Sequence, residues 1–182
     1  MRFFSYSLIL VLVTFLASCN PTLEEAKEYA AGTEDKGLPF LTELSKICGK
    51  GYLVNHRSSN IYWNGTGWII DSHHYVSIGA EARSVEEAKR SSRRAIASFM
   101  ECMYVAGVTE NIQFIKATLT FSDIGDILNP LLLGIYHIDR KTLDELENWQ
   151  EKPSFFDRHR VSQYVESHMK TQHEDWSQII LE

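Results

Sequence analysis

The stretch from Ser84 to Gly107 restricts the fold of this chain more than any other. Ser84, with Glu87 three residues on, forms a capping box that opens a helix, and Gly107 supplies a stop. Between them Val85, Ala88, Ala95, Ile96, Phe99, Cys102, Met103 and Ala106 fall on one face, while the opposite face is strongly charged. The spacing predicts a helix over about 85–106. A helix with a single apolar stripe draws most of its stability from packing that stripe on another layer. The rest of the chain must supply that layer.

It reads as strands. Gly51–Asn55, Asn60–Trp63, Trp68–Asp71 and Tyr75–Gly79 are short candidates, and Asn64-Gly65-Thr66-Gly67 between the second and third is a hairpin signal. Asn111–Phe121 alternates, with a phase change at Phe114-Ile115 that predicts a bulge. Asp123, Gly125, Asp126, Asn129 and Pro130 make a turn. Leu131–Ile138 is then almost continuously apolar, the pattern of a central strand covered on both faces. Further helices are predicted over Leu38–Ile47, Lys141–Glu151 and about Phe155–Trp176, the last with Val161, Tyr164, Val165, His168 and Gln172 on one stripe. The fold class is α+β: a small, mostly antiparallel sheet packed by one long helix, plus a C-terminal amphipathic helix.

The N-terminus has a different character. Arg2 and the amino group form a short positive region, followed by the apolar stretch Phe3–Leu16, interrupted by Ser5, Tyr6, Ser7 and Thr14. This is the layout of a secretory signal. At 14 residues it falls short of the roughly 20 apolar residues that span a bilayer. It closes on Leu16-Ala17-Ser18-Cys19, which resembles the lipobox of bacterial lipoproteins: an aliphatic residue, two small residues and a cysteine. The resemblance implies a diacylglycerol thioether on Cys19 and cleavage before it, so that the lipid bilayer is the first partner of the mature chain. Ordinary secretion, cut near the same place, would instead leave Cys19 as a thiol. Two or more acyl chains anchor a protein stably where a single one does not. Asn20 is not the aspartate that retains lipoproteins in the inner membrane of enteric bacteria, which favours the outer membrane.

Three segments follow from this: a signal over 1–18, a lipidated N-terminus and tether over 19–37, and a single α+β domain over 38–182. Removing the signal leaves 164 of the 182 residues, enough for one domain with a sizeable core. Residues 20–37 are polar, carry five acidic side chains and, fully extended, reach roughly 60 Å. The net charge of −6 argues against nucleic acid as a partner. Lipidation uses one of the three cysteines. Cys48 and Cys102 remain, open between a disulfide and two separate buried thiols, in a compartment that permits bridging.

Several side chains are candidates for function. Tyr62, Trp63 and Trp68 flank the hairpin loop, where two indoles either stack on a sugar ring or stabilise the hairpin as a cross-strand pair. Lys89, Arg90, Arg93 and Arg94 form a basic patch on the long helix that suits anionic headgroups or an acidic partner, although Glu86 stands in ion-pairing position four residues before Arg90. The seven histidines show no metal-ligand spacing. His73 and His74 point to opposite sides of a strand, and His168 and His173 miss the helical i, i+4 interval. A site from His74, His137 and a distant partner is the remaining possibility for a metal, and a pocket with Asp139 beside them the remaining one for an enzyme. The turn at Ser122–Asp126 has too few regularly spaced oxygens for a calcium loop. No hydrolase elbow, phosphate-binding glycine loop or cysteine nucleophile context is present, and no cofactor is implied.

Tyr75-Val76-Ser77-Ile78-Gly79-Ala80-Glu81-Ala82, then Glu87-Ala88 and Arg94-Ala95, is similar to the strand, Gly-x-Ala and Ala-rich helix core of the twenty-kilodalton bacterial surface-lipoprotein family, which flagellar-assembly lipoproteins share. Gly134–Asp139 leading into Leu143 matches that family's closing strand and charged helix start, so the resemblance covers about residues 70–150. The long C-terminal helix and the aromatic hairpin depart from it. The resemblance implies a non-enzymatic envelope module with no catalytic residues. The expected function is a membrane-anchored, non-catalytic binding or assembly module with an envelope protein partner. The alternative is glycan or peptidoglycan binding through Tyr62, Trp63 and Trp68.

Overall fold

The computed structural model describes residues 37–50, 54–76, 84–107, 110–121, 130–145 and 163–179. Cys19 and the tether, Gly79 and Ala80, the turn over 122–129 and the helix predicted beyond 145 lie outside the described residues. The elements run α1 (Gly37–Cys48), β1 (Val54–Trp63), β2 (Trp68–Val76), α2 (Val85–Ala106), β3 (Ile112–Phe121), β4 (Leu131–Asp139), α3 (Arg140–Asp144) and β5 (Lys170–Glu174), with residues 163–168 also helical. The strands form one five-stranded sheet in chain order. Only β2 and β3 pair in parallel, and α2 makes the crossover between them. The chain is α+β, with a mostly antiparallel sheet.

α2 runs over the predicted residues: the Ser84 hydroxyl accepts from the Glu87 backbone N–H at 3.1 Å, and the Gly107 N–H donates to the Met103 carbonyl at 2.9 Å. Its buried face is wider than the sequence stripe, because Ser92, Ala97, Met100 and Tyr104 are buried beside Ile96, Phe99 and Met103. α1 lays Phe40, Leu41 and Leu44 on the same side of the sheet, where it packs on α2 and β1. The sheet answers with Ile70, Ile115, Leu119 and Ile138. The core therefore lies on one face of the sheet, and the strands alternate inward and outward as one-sided burial requires.

Four expectations are corrected. The four short strands at the start are two long ones, because Ser72-His73-His74 continues β2 without a break and β1 carries a bulge at Arg57, between His56 and Ser58. Ser72 and His74 point inward as polar residues and satisfy each other, His74 Nε2 to Ser72 Oγ at 3.0 Å, so no apolar pattern marks the strand there. β4 is central in order but covered on one face: Tyr136 and Ile138 are buried while Ile135 and His137 are only partly so. The C-terminal helix does not reach Trp176. Helix stops at residue 168, and Lys170–Glu174 turns back as an edge strand on β4. The bulge in β3 falls at Gln113, where Trp68 pairs with Ile112 but Ile69 with Phe114, one residue before the predicted phase change.

Candidate interaction surfaces

Cys48 is the last residue of α1 and Cys102 lies one turn before the end of α2. Their Sγ atoms are 2.08 Å apart, a disulfide that ties the two helices together.

The hairpin tip is locked. The Asn64 N–H donates to the Gly67 carbonyl at 3.1 Å, and the Asn64 side-chain oxygen accepts from the Thr66 and Gly67 N–H groups, both at 3.0 Å. Gly65, at φ 97°, occupies the left-handed region the loop needs. Asn111 holds the loop from the side, its Nδ2 donating to the Thr66 carbonyl at 2.7 Å and its own carbonyl accepting from Trp68 at 3.0 Å. Trp63 and Trp68 meet edge to face, ring centroids 5.4 Å apart, but they are not equivalent: Trp68 is 8% exposed and Trp63 50%. Tyr62, 48% exposed, is on the other face of the strand. The three aromatics therefore do not form one flat platform. One indole is buried, one caps it, and the phenol points away.

Half of the basic patch on α2, Lys89 and Arg93, is engaged inside the fold. Lys89 Nζ lies 2.8 Å and Arg93 Nη1 3.1 Å from the Glu174 carboxylate on β5, and Arg94 lies 3.7 Å from Glu166. The Tyr136 hydroxyl donates to the same Glu174 carboxylate at 2.6 Å, and Arg93 stands over the Tyr136 ring, 5.6 Å from its centroid. The ring reaches Glu174 because Gly134 lies beneath it; a Cβ there would come within 2.6 Å of the Tyr136 ring. Burial alone would raise the Glu174 pKa, but bonds from Lys89, Tyr136 and Arg93 outweigh it and hold the carboxyl below its ordinary range. Arg90 and Arg94 both stay exposed on the outer side. No local pattern announces this cluster, because its key carboxylate lies in a segment that reads as helix.

The histidines divide by strand face. His74 is 1% exposed, its ring 4.5 Å from Phe99 of α2 and 5.6 Å from His56 of β1. Burial, then the neighbouring His56 and His73, pushes its pKa down to about 3, so it is a neutral core residue. Burial, then Lys46, lowers His56 as well, and its Nε2 bonds Ser59 Oγ at 2.8 Å. His137 and Asp139 occupy the opposite face of the sheet, where Asp139 caps α3 by accepting from the Thr142 N–H at 2.7 Å. His74 therefore shares no site with either. No group of three or more His, Cys, Asp or Glu able to hold a metal occurs among the described residues.

Among the described residues the side chains of that opposite face are exposed or partly exposed, apart from the buried Thr118. Across the strands run rows of polar side chains. His73, Thr118, Ile135 and His173 stand side by side, as do Asn60, Asp71, Lys116, His137 and Lys170. Lys116 pairs with Asp71 at 2.9 Å, while Asp71 Oδ1 has no hydrogen-bond donor among the described residues. Tyr75 is 37% exposed, and Phe114 lies 5.4 Å from the His137 ring. Such a face offers donors, acceptors and apolar edges together.

No helix among the described residues is long and apolar enough to cross a membrane. No protein family, no curated protein and no solved structure matches the chain.

Proposed function

We propose that this chain is a lipid-anchored protein of the bacterial envelope, held by an acylated Cys19, whose domain is a non-catalytic binding or assembly module for another envelope protein. The reading rests on Leu16-Ala17-Ser18-Cys19 closing an apolar leader. The Cys48–Cys102 bond supports it, since disulfides form and persist in oxidising compartments outside the cytoplasm. With Asn20 after the cysteine, the outer membrane is the preferred destination. The open sheet face around Asp71, His73, Tyr75 and Lys116 is the surface offered to the partner. Glycan binding has less support, because burial of Trp68 removes one of the two indoles a stacking platform needs.

A photo-crosslinking amino acid placed at Tyr75, and separately at Arg90 on the outer side of α2, tests this in cells. The proposal expects one reproducible protein adduct from Tyr75 and none from Arg90. No adduct from Tyr75, or equal labelling from both, contradicts it.

A further inference from the structure

The hairpin tip joins three properties that the partner-binding face does not explain. From Ser58 to Ile70 the chain runs 13 residues without a charge, in a protein with 23% charged residues. Tyr62 and Trp63, on that run, are the two most exposed large apolar side chains of the described residues, at 48% and 50%. The tip is also where the tether reaches the domain. Gly37, the first residue of α1, lies against Trp68, so closely that a Cβ would come within 2.9 Å of the indole. Leu38 beside it is exposed as well.

We infer that Tyr62 and Trp63 dock tip-first into the interfacial layer of the membrane that carries Cys19. This rests on the lipid-anchor reading. Seventeen residues lie between Cys19 and Gly37, so an anchored domain stays within about 60 Å of the bilayer, and the tip lies beside the residue where the tether ends. Tryptophan and tyrosine favour the headgroup boundary, because one part of each ring system is apolar and another polar. Their placement on opposite faces of the strand suits insertion of the tip, which surrounds both with lipid. Stacking on a sugar needs both on one face. The locked loop and the Trp63–Trp68 contact present the rings without further ordering, which lowers the entropic cost of docking. Glu110 lies beside Gly37 and the chain carries a net charge of −6, so anionic lipid contributes no attraction. Docking by this route leaves the sheet face free for a partner.

The full acylated protein, purified from membranes and reconstituted in phosphatidylethanolamine vesicles with and without phosphatidylglycerol, tests the inference. Lipids brominated near the headgroup should quench its tryptophan fluorescence equally in both vesicles, and Trp63→Phe should lose that quenching while still floating with the vesicles. Quenching that persists in Trp63→Phe, or is absent from a wild-type protein that floats, overturns the docking and leaves the anchor intact. A protein that neither floats nor carries diacylglycerol on Cys19 overturns both. Trp63-dependent sedimentation with sacculi, without lipid quenching, assigns the tip to glycan instead.

Discussion

The Tyr136 hydroxyl and the Glu174 carboxylate are 2.6 Å apart, and through that contact the last strand is fastened to the long helix. Glu174 collects Lys89 and Arg93 from α2 and Tyr136 from β4 at once. Removing one partner of a fully buried ion pair costs about 3–5 kcal/mol, and at 15% exposure Glu174 falls somewhat below that range. Glu174→Gln should cost about 2 kcal/mol, a fall in Tm of about 4–8 °C for a chain of this size. Hydrogen exchange should locate the loosening in Lys170–Glu174. A variant with unchanged Tm and unchanged protection of β5 would show that the cluster is ornamental.

The buried His74 makes the domain sensitive to acid. Its pKa is about 3 in the fold against the ordinary 6.5, so between those values the unfolded chain binds a proton that the folded one refuses. Stability is therefore complete above pH 6.5 and drains away as pH falls, by about 2 kcal/mol at pH 5 from this residue. Glu174 and Asp139, whose folded pKa values are lowered, lose their contributions further down, below the ordinary carboxylate range. Urea titrations at pH 7 and pH 5 should thus show a drop in midpoint that His74→Phe largely removes. An equal drop in the variant counts against this assignment.

Reduction of the Cys48–Cys102 bond releases a loop of sequence separation 54, worth about 4 kcal/mol in the chain-entropy account. The double variant Cys48→Ala, Cys102→Ala should melt about 8–16 °C lower. Alkylation with and without reductant, read by mass, should find both thiols blocked only after reduction. Free thiols in the native protein would contradict the bond.

How much of this was legible follows from which residues carry a one-dimensional signal. α2 announces itself through Ser84, Gly107 and its apolar stripe, and the hairpin through Asn64–Gly67, because caps and turns are local chemistry. The inner face of β2 does not, since Ser72 and His74 bury as a hydrogen-bonded pair and mimic a break. β5 is the deeper failure. Lys170-Thr171-Gln172-His173-Glu174 contains no apolar residue, and it continues the helical spacing of Tyr164, Val165 and His168. It is a strand because β4 offers an open edge and because Glu174 finds three partners there, a tertiary reason that no window of sequence contains. The same blindness made the basic patch look free.

The tryptophan pair should respond asymmetrically. Trp68→Ala empties a buried site, at a cost of about 3–5 kcal/mol. Trp63→Ala removes only the covering ring, worth about 1 kcal/mol. Equal destabilisation in urea titrations would mean that Trp63 is as much a core residue as Trp68.

The central claim is the anchor, and Cys19→Ser tests it most directly through fractionation of cells producing the wild-type and the variant protein. Wild type should pellet with membranes, partition into detergent and carry the mass of a diacylglyceryl cysteine. The variant should lose the lipid mass and leave the detergent phase, with Cys48 and Cys102 still bonded. A wild-type protein without lipid on Cys19, or a variant that remains in the detergent phase, would contradict the account.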